Sequence, residues 1–278
     1  MILIADSGGT KTDWTLLDGA QVVSRLRTEG LHPVFSTPEE IVAHVRAEVA
    51  PALAAAPAKI FFYAAGLVSG ESGKRLEDCF REVFPAAVTQ CSSDLLGAAR
   101  ALFGDQPGVA CILGTGSNSC FYDGDRIADN IRAGGFILGD EGSGAHLGRM
   151  LISDFIKGLL PPDLGMEFVR RYGLDYPAIV AKVYREANPN KFLASFSVFI
   201  EEHRSHPYMQ RLLRESFRLF LQRNASRYGH EDCPVGFVGS IAVVFREELC
   251  AEMRAAGLIA GDVMKSPMEG LIRYHSIS

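Results

Sequence analysis

Residues Ile2 to Gly19 read ILIADSGGTKTDWTLLDG. Ile2–Ala5 and Trp14–Leu17 are short apolar runs with strand character. Between them stand Gly8 and Gly9, which admit positive φ and let the backbone approach a ligand closely. Thr10, Lys11 and Thr12 add hydroxyls and an ammonium at the same bend. Successive backbone N–H groups in such a turn form a concave anion site. Asp6 closes the first strand, where a carboxylate would repel a phosphate unless a hydrated cation stood between them. The combination predicts a hairpin that holds a Mg-nucleotide rather than a bare anion. An ordinary hairpin with a tight DG-like turn would give the same local pattern.

The pattern returns later in the chain. Val109–Leu113 (VACIL) reads as a strand, Gly114–Ser117 (GTGS) as a glycine turn, Asn118–Asp123 as the returning strand and Arg126–Ile131 as a third. The first hairpin is likewise followed by a third strand, Gln21–Arg25. This internal duplication predicts two α/β halves, each led by a hairpin, with a phosphate gripped from both sides of a cleft. Between the hairpins the text reads helix (Glu39–Ala55, after Ser36, Thr37 and Pro38), strand (Lys59–Ala65), helix (Glu71–Phe84), strand (Ala87–Cys91) and helix (Leu95–Phe103). Gly104–Gly108 is a polar connector bearing Gly and Pro, which puts an N-terminal domain at 1–104 and a second at 105–266.

In the second half, Gly134–Gly148 (GGFILGDEGSGAHLG) is rich in glycine and leads into a helix ending near Gly158. Residues 160–230, including Tyr208–Tyr228, are amphipathic helical text without legible chemistry, an expected helical insertion. Pro234–Val238 reads as a strand, Gly239 and Ser240 as a turn, and Ile241–Ala255 as a helix. Asp262 and Val263 belong to a last short strand. Pro267–Tyr274 reads as a closing helix, and the segment 267–278 is a candidate to pack back on the N-terminal domain.

The 278 residues suffice for a substantial core, and 47% hydrophobic, 22% charged and a net charge of −5 are values of a globular enzyme. Mild acidity argues against a nucleic-acid partner, which calls for a basic face. No apolar run approaches a bilayer span, and Met1 leads straight into a strand without a signal-peptide pattern, so a cytoplasmic protein with no membrane partner is expected. Cys79, Cys91, Cys111, Cys120, Cys233 and Cys250 are scattered without a CxxC pair, as in a reducing compartment.

Three positions have both a structural and a chemical reading. Asp94 stands where a strand end meets a helix start, which suits a helix N-cap and also a catalytic base aimed at a substrate hydroxyl. The GTGS turn with Asn118 is either a plain hairpin turn or the counterpart of the first glycine bend. Asp140 and Glu141, between Gly139 and Gly142, can stabilise a helix dipole or accept bonds from sugar hydroxyls. Other patterns fail. Val68 and Arg75 occupy required positions around Gly73-Lys74, so no Walker A motif is present. His203 and His206 lack further metal ligands, and no GxSxG elbow occurs.

Taken in order, DSGGTKTDW, SSDLLGAARALFG, ILGTGSNS, GGFILGDEGSGAHLG and FVGSIA resemble the motifs of N-acetylglucosamine kinase-type proteins of the BadF/BadG/BcrA/BcrD ATPase family, within the actin-like and sugar-kinase superfold. They span Asp6–Gly148 and Pro234–Gly270; the stretch between is similar to the family only in being helical. The resemblance implies two actin-like (ribonuclease H-like) domains, each a mixed five-stranded sheet with flanking helices, around a central nucleotide cleft. It implies phosphorylation of an amino sugar, N-acetylglucosamine or a related hexosamine, at the C6 hydroxyl, with ATP and Mg²⁺ as cofactors. Dimers are common among similar proteins, so a homodimer is a candidate assembly.

The resemblance also implies roles by position. Ser7, Gly8, Gly9, Thr10, Lys11 and Thr12 resemble the first phosphate loop, with Asp6 organising Mg²⁺ through water. Gly114, Thr115, Gly116 and Ser117 resemble the second phosphate loop, and Gly239 and Ser240 the adenosine turn. Asp94 matches the catalytic base. His32, Asp94, Thr115, Asn118, Gly139 and Asp140 match positions that touch the sugar, although His32 stands where the family often carries Asn, and imidazole has a different reach. Two other classes compete: a nucleotide-dependent sugar sensor without turnover, and an ATPase activator of an electron-transfer enzyme. The latter holds an iron–sulfur cluster on closely presented thiolates, which this spacing of cysteines does not offer. A repressor/kinase-type sugar kinase with structural zinc lacks its Cys-rich motif here.

Overall fold

The computed structural model describes residues 1–8, 11–31, 36–67 and 70–276. Its chain divides into two units: Met1–Gln106 with Tyr122–Ile127 and Ser266–Ser278, and Pro107–Phe121 with Ala128–Lys265. The hairpin end Tyr122–Ile127 groups with the first unit because Tyr122 Oη donates to the carbonyls of Gly104 and Gly124, each at 2.9 Å.

The first sheet grows from the opening hairpin. β1 (Ile2–Ser7) pairs antiparallel with β2 (Lys11–Asp18), and β2 with β3 (Gln21–Glu29). On its other side β1 runs parallel to β4 (Lys59–Ala64), which pairs parallel with β5 (Val88–Ser93), giving the order β3-β2-β1-β4-β5. Leu3, Ile4 and Ala5 are fully buried, as expected of a central strand covered on both faces. Trp14, Phe62 and Phe80 form the aromatic centre of this core, with Trp14–Phe62 and Phe62–Phe80 ring centroids 5.6 and 5.1 Å apart. α1 (Pro38–His44) opens on a capping box: Glu40 N–H donates to Thr37 Oγ1 and Thr37 N–H to Glu40 Oε2. The single helix expected to Ala55 instead widens to a π segment at Val45–Val49 and tightens to a 3₁₀ turn at Ala50–Ala52. Pro51, with no N–H to give, stands at that change. α2 (Gly70–Val83) packs on β5, and α3 (Asp94–Phe103) follows β5 directly.

The second unit repeats the plan. β6 (Gly108–Leu113), β7 (Ser117–Tyr122) and β8 (Ile127–Asp129) lie side by side, and β6 also runs parallel to β9 (Val235–Val238), which pairs parallel with β10 (Ala260–Met264). The order β10-β9-β6-β7-β8 mirrors that of the first sheet, so both sheets are mixed and five-stranded, as the duplicated text predicts. Helices α4 (Gly135–Leu138) and α5 (Gly144–Ile156) follow β8. The insertion is indeed helical: α6 (Pro162–Tyr172), α7 (Tyr176–Tyr184), α8 (Pro189–Ser195), α9 (Ser197–Glu202) and α10 (Pro207–Arg223). Their apolar faces close over Phe168, Phe196, Phe199, Phe217 and Phe220, all fully buried. The helix expected at Ile241–Ala255 is two, α11 (Ser240–Val244) and α12 (Arg246–Ala255), broken where Phe245 turns to φ −108, ψ 34.

α13 (Met268–Ser276) belongs to the first unit and packs on α3, β1 and β2. Gly270 permits this: a Cβ there would collide with the backbone and Cβ of Ala101. His275 stacks on Phe61 (centroids 3.9 Å apart) and meets Tyr63 Oη at 2.9 Å through Nε2, while Arg100 donates to the same hydroxyl at 3.0 Å.

Candidate active site

In the first unit the acid groups come from strand register and from a helix start. Asp6, at the end of β1, stands opposite Asp13 of β2. Lys11 Nζ and Arg27 Nε bind the Asp13 carboxylate at 2.7 and 2.6 Å. Burial alone would raise Asp13, but these two cations outweigh it and hold it below the usual carboxylate range. Among the described residues no cation is bonded to Asp6. Burial, then the negative charges of Asp94 and Asp13, push it up to about 7, with Lys11 pulling weakly the other way.

Asp94 occupies the first position of α3. The N-cap is Ser93, whose Oγ accepts the Leu96 N–H at 3.2 Å. Asp94 Oδ1 accepts the adjacent Leu95 N–H at 2.9 Å. Burial pushes its carboxyl up to about 6, opposed by backbone bonds from Leu95 and from its own N–H. The capping task that position suggested for Asp94 is therefore performed by its neighbour.

The Ser7 and Thr12 hydroxyls face inward. Ser7 Oγ and Thr12 Oγ1 lie 2.7 Å apart, Ser7 donates to the Leu31 carbonyl at 2.9 Å, and Leu31 N–H donates to Thr12 Oγ1 at 3.2 Å. Both side chains are buried and pin the Gly30-Leu31 segment beside the hairpin. Gly8 N–H closes the turn on the Lys11 carbonyl at 3.0 Å. Gly9, Thr10 and His32 lie outside the described residues.

In the second unit the counterpart bend is shaped by close backbone approach. Gly114 N–H donates to the Gly116 carbonyl at 3.0 Å, and the first N–H groups of α5, on Gly144 and Ala145, bind the carbonyls of Gly114 and Thr115 at 2.9 and 3.0 Å. Asp140 Oδ1 accepts the Ser117 N–H at 3.2 Å, and a Cβ on Gly116 would stand 2.9 Å from Asp140 Oδ2. Gly239 sits against the same bend with φ 131; a Cβ there would collide with the Leu113 carbonyl. Gly139, buried beside Asp140, is similarly tight against Ala133. Asn118 Oδ1 accepts from Ser119 N–H and Asn130 Nδ2. Thr115 and Ser240 are exposed. The second-unit residues singled out in the sequence are thus gathered at one end of β6, with Asp140 among them.

Asp140 has φ 54, a left-handed conformation uncommon for a residue with a side chain. Burial raises its carboxyl, with the Ser117 N–H opposing. The next residue, Glu141, is buried and bound by Arg223 Nη1 at 2.7 Å. That partner, and Ser216 behind Gly142, come from α10, which showed no chemistry as sequence; no local signal would have found them.

A divalent cation is implied by the family resemblance. Asp6 and Asp94 are hard oxygen donors without a bonded cation of their own, which suits Mg²⁺. Among the described residues no group of three or more His, Cys, Asp or Glu could hold a metal unaided. This fits an ion that keeps waters and takes further ligands from phosphate oxygens. The cysteines offer no cluster site: Cys111 and Cys120 are fully buried, and burial, then Cys120, raises the Cys111 thiol well above its ordinary value.

No family model matches the chain, and no curated protein matches it. Among solved structures, a candidate N-acetylglucosamine kinase from Porphyromonas gingivalis is 44% identical and superposes with a TM-score of 0.96, over 100% of this chain and 99% of that one. The chain belongs to the sugar kinases. A second candidate N-acetylglucosamine kinase, from Chromobacterium violaceum, shares 22% identity at a TM-score of 0.73 over 98% of both chains. A ROK glucokinase from Streptomyces griseus, solved with glucose and AMPPNP, shares 17% at 0.62 over 99% of both. These two show that this sugar kinase has the fold common to both groups.

Proposed function

We propose that this sugar kinase transfers the γ-phosphoryl group of ATP to the C6 hydroxyl of an amino sugar, N-acetylglucosamine before other hexosamines. The likeness to the Porphyromonas gingivalis protein over the whole chain supports the sugar class. The observation that carries the chemistry is Asp94: a half-buried carboxyl at a helix start, relieved of capping by Ser93, with a pKa raised to about 6. Such a group is ionised at neutral pH and basic enough to accept a hydroxyl proton as the oxygen attacks. In the reaction the sugar oxygen forms a bond to the γ-phosphorus and the bond to the β,γ-bridging oxygen breaks. Asp94 takes the proton, which later passes to solvent, and ADP leaves.

The other roles are assigned on motif and placement. The turn Ser7–Thr12 holds phosphate through its backbone and Lys11, since the Ser7 and Thr12 hydroxyls are engaged within the hairpin. Gly114–Ser117 supplies the second phosphate turn and Gly239-Ser240 the adenosine turn. Asp140, Asn118, Thr115 and Gly139, with His32, contact the sugar. Asp6 would hold Mg²⁺ through water, and the bound ion would neutralise charge on the β- and γ-phosphates. Catalysis is then mainly positioning and electrostatics.

The five motifs further support membership of the BadF/BadG/BcrA/BcrD ATPase family. Six scattered cysteines without a CxxC pair support residence in a reducing, cytoplasmic compartment; among the described residues no helix is long and apolar enough to cross a membrane.

The test is a coupled assay of ADP release with glucosamine, N-acetylglucosamine, N-acetylmuramic acid, N-acetylmannosamine and glucose. N-acetylglucosamine is expected to give the highest kcat/KM. Tight nucleotide and sugar binding without ADP release from any of the five would replace the kinase by a sensor.

A further inference from the structure

Asp140 is held in a conformation that costs energy. Non-glycine residues at positive φ persist only where their surroundings determine them. Two backbone bonds contribute: Asp140 N–H to the Ala133 carbonyl and Ser143 N–H to the Asp140 carbonyl, both 3.1 Å. The side chain is held by the Ser117 N–H, and further support comes from one face of α10. Ser216 Oγ accepts the Gly142 N–H at 3.2 Å and lies 2.8 Å from His146 Nδ1. Phe220 packs against Gly142, where an added Cβ would stand 3.0 Å from Phe220 Cβ, and Arg223 binds Glu141. Positions 216, 220 and 223 share one helix face, so α10 presents a hydroxyl and a ring to Gly142 and a cation to Glu141.

The polarity of that contact is unusual for a core. Ser216 is 0% and His146 4% exposed. Burial, then the Arg149 charge, pushes His146 down to about 4, so its imidazole is neutral. In the neutral tautomer protonated at Nε2, Nδ1 accepts the Ser216 hydroxyl proton, and the same oxygen receives the Gly142 N–H. A buried hydroxyl oriented on both sides sets the backbone of Gly142 at a defined place, two residues from Asp140.

We propose that Ser216, oriented by His146, is a positioning residue for Asp140, and that α10 thereby sets the affinity of the enzyme for its sugar. This rests on the reading of Asp140 as a sugar contact. A group displaced by a fraction of an ångström loses binding that a melting curve does not register.

The experiment uses the full-length enzyme, saturating ATP and the fastest sugar of the five-sugar screen. Ser216→Ala is expected to raise the sugar KM roughly ten-fold, the effect of leaving one buried N–H without its acceptor, with the ATP KM within about two-fold of the parent. His146→Leu should behave the same way. His146→Asn, whose carbonyl oxygen can replace Nδ1 as acceptor, should restore the sugar KM. In an Asp140→Ala background, Ser216→Ala should add nothing further to the sugar KM, because it acts through the missing carboxylate. A lowered Tm with unchanged sugar KM in both Ser216→Ala and His146→Leu would overturn the proposal. So would multiplication of the Ser216→Ala and Asp140→Ala effects. Should Ser216→Ala fail to fold, the His146→Leu and His146→Asn pair decides alone. An Asp140→Ala enzyme with the parent's sugar KM would instead overturn the sugar-contact reading itself, and the proposal with it.

Discussion

The bend between β1 and β2 and the bend between β6 and β7 occupy the same place in two sheets of the same strand order, yet they are built differently. Around the first, side-chain charge dominates: Asp6, Asp13 and Asp94 crowd together, and Lys11 and Arg27 neutralise only Asp13. Around the second, geometry dominates: Gly116 and Gly239 leave no room for a Cβ, and α5 grips the bend by backbone bonds. One topology therefore supports two specialisations. A charged bend can bind a cation and move a proton; a glycine bend can bring amides close to an anion. Substitutions that separate charge from shape test this division.

The largest expected effect is on the charged side. Asp94→Ala should lower turnover by roughly two to four orders of magnitude, the usual contribution of general base catalysis, while ATP still binds by calorimetry. Near-normal turnover would remove Asp94 from the mechanism. On the glycine side, Gly239→Ala combines a forbidden φ with a collision at the Leu113 carbonyl. It should destabilise by about 2–5 kcal/mol, read as a Tm drop on the order of 5–15 °C. A parent-like Tm would show that the bend yields more easily than its contacts indicate.

The pH dependence follows from Asp94. As the proposed base, Asp94 has to be ionised to accept a proton, so kcat/KM should fall about ten-fold per unit as pH drops below about 6. A flat profile to pH 5 would place the essential base elsewhere. Gly116→Ala pushes on Asp140 Oδ2, and a rise of roughly ten-fold in sugar KM with little change in Tm is expected.

Asp6→Asn gives the smallest effect and the sharpest contrast. The folded-state pKa of Asp6, about 7, lies above that of an unfolded Asp, so the ionised form destabilises the metal-free protein above pH 7. That penalty shrinks as pH falls from 7 towards 4 and vanishes below the unfolded value of 3.8, where folded and unfolded forms are both protonated. Asp6→Asn should thus raise the Tm of the metal-free protein by roughly 2–6 °C at pH 8, with the gain fading by pH 4. Its kinase activity should fall, a stability gain at the expense of function. Equal melting of both proteins at pH 8 would argue against an uncompensated charge at that strand end.

The sheets and both bends were legible in the sequence because alternating apolar runs and paired glycines are local signals. Other features were not. That Ser93 rather than Asp94 caps α3 depends on one side-chain rotamer, since either residue could cap. The break of the Ile241–Ala255 helix at Phe245 follows from burial of that ring, not from a helix breaker in the text. β10 was read from Asp262 and Val263 alone because Gly261, pressed against Val235, dilutes its pattern. The contacts of Ser216 and Arg223 with the Asp140 loop join residues more than seventy positions apart, and no periodicity announces them.

The return of α13 to the first unit has a consequence for biosynthesis. While the ribosome is still translating the second unit, β1 and α3 have emerged but the helix that packs on them has not. The opening sheet must wait with one apolar side uncovered, and Phe61 and Tyr63 have no His275 to meet. Nascent chains should therefore become protease-resistant in their first hundred residues only after α13 has left the exit tunnel, long after those residues were made.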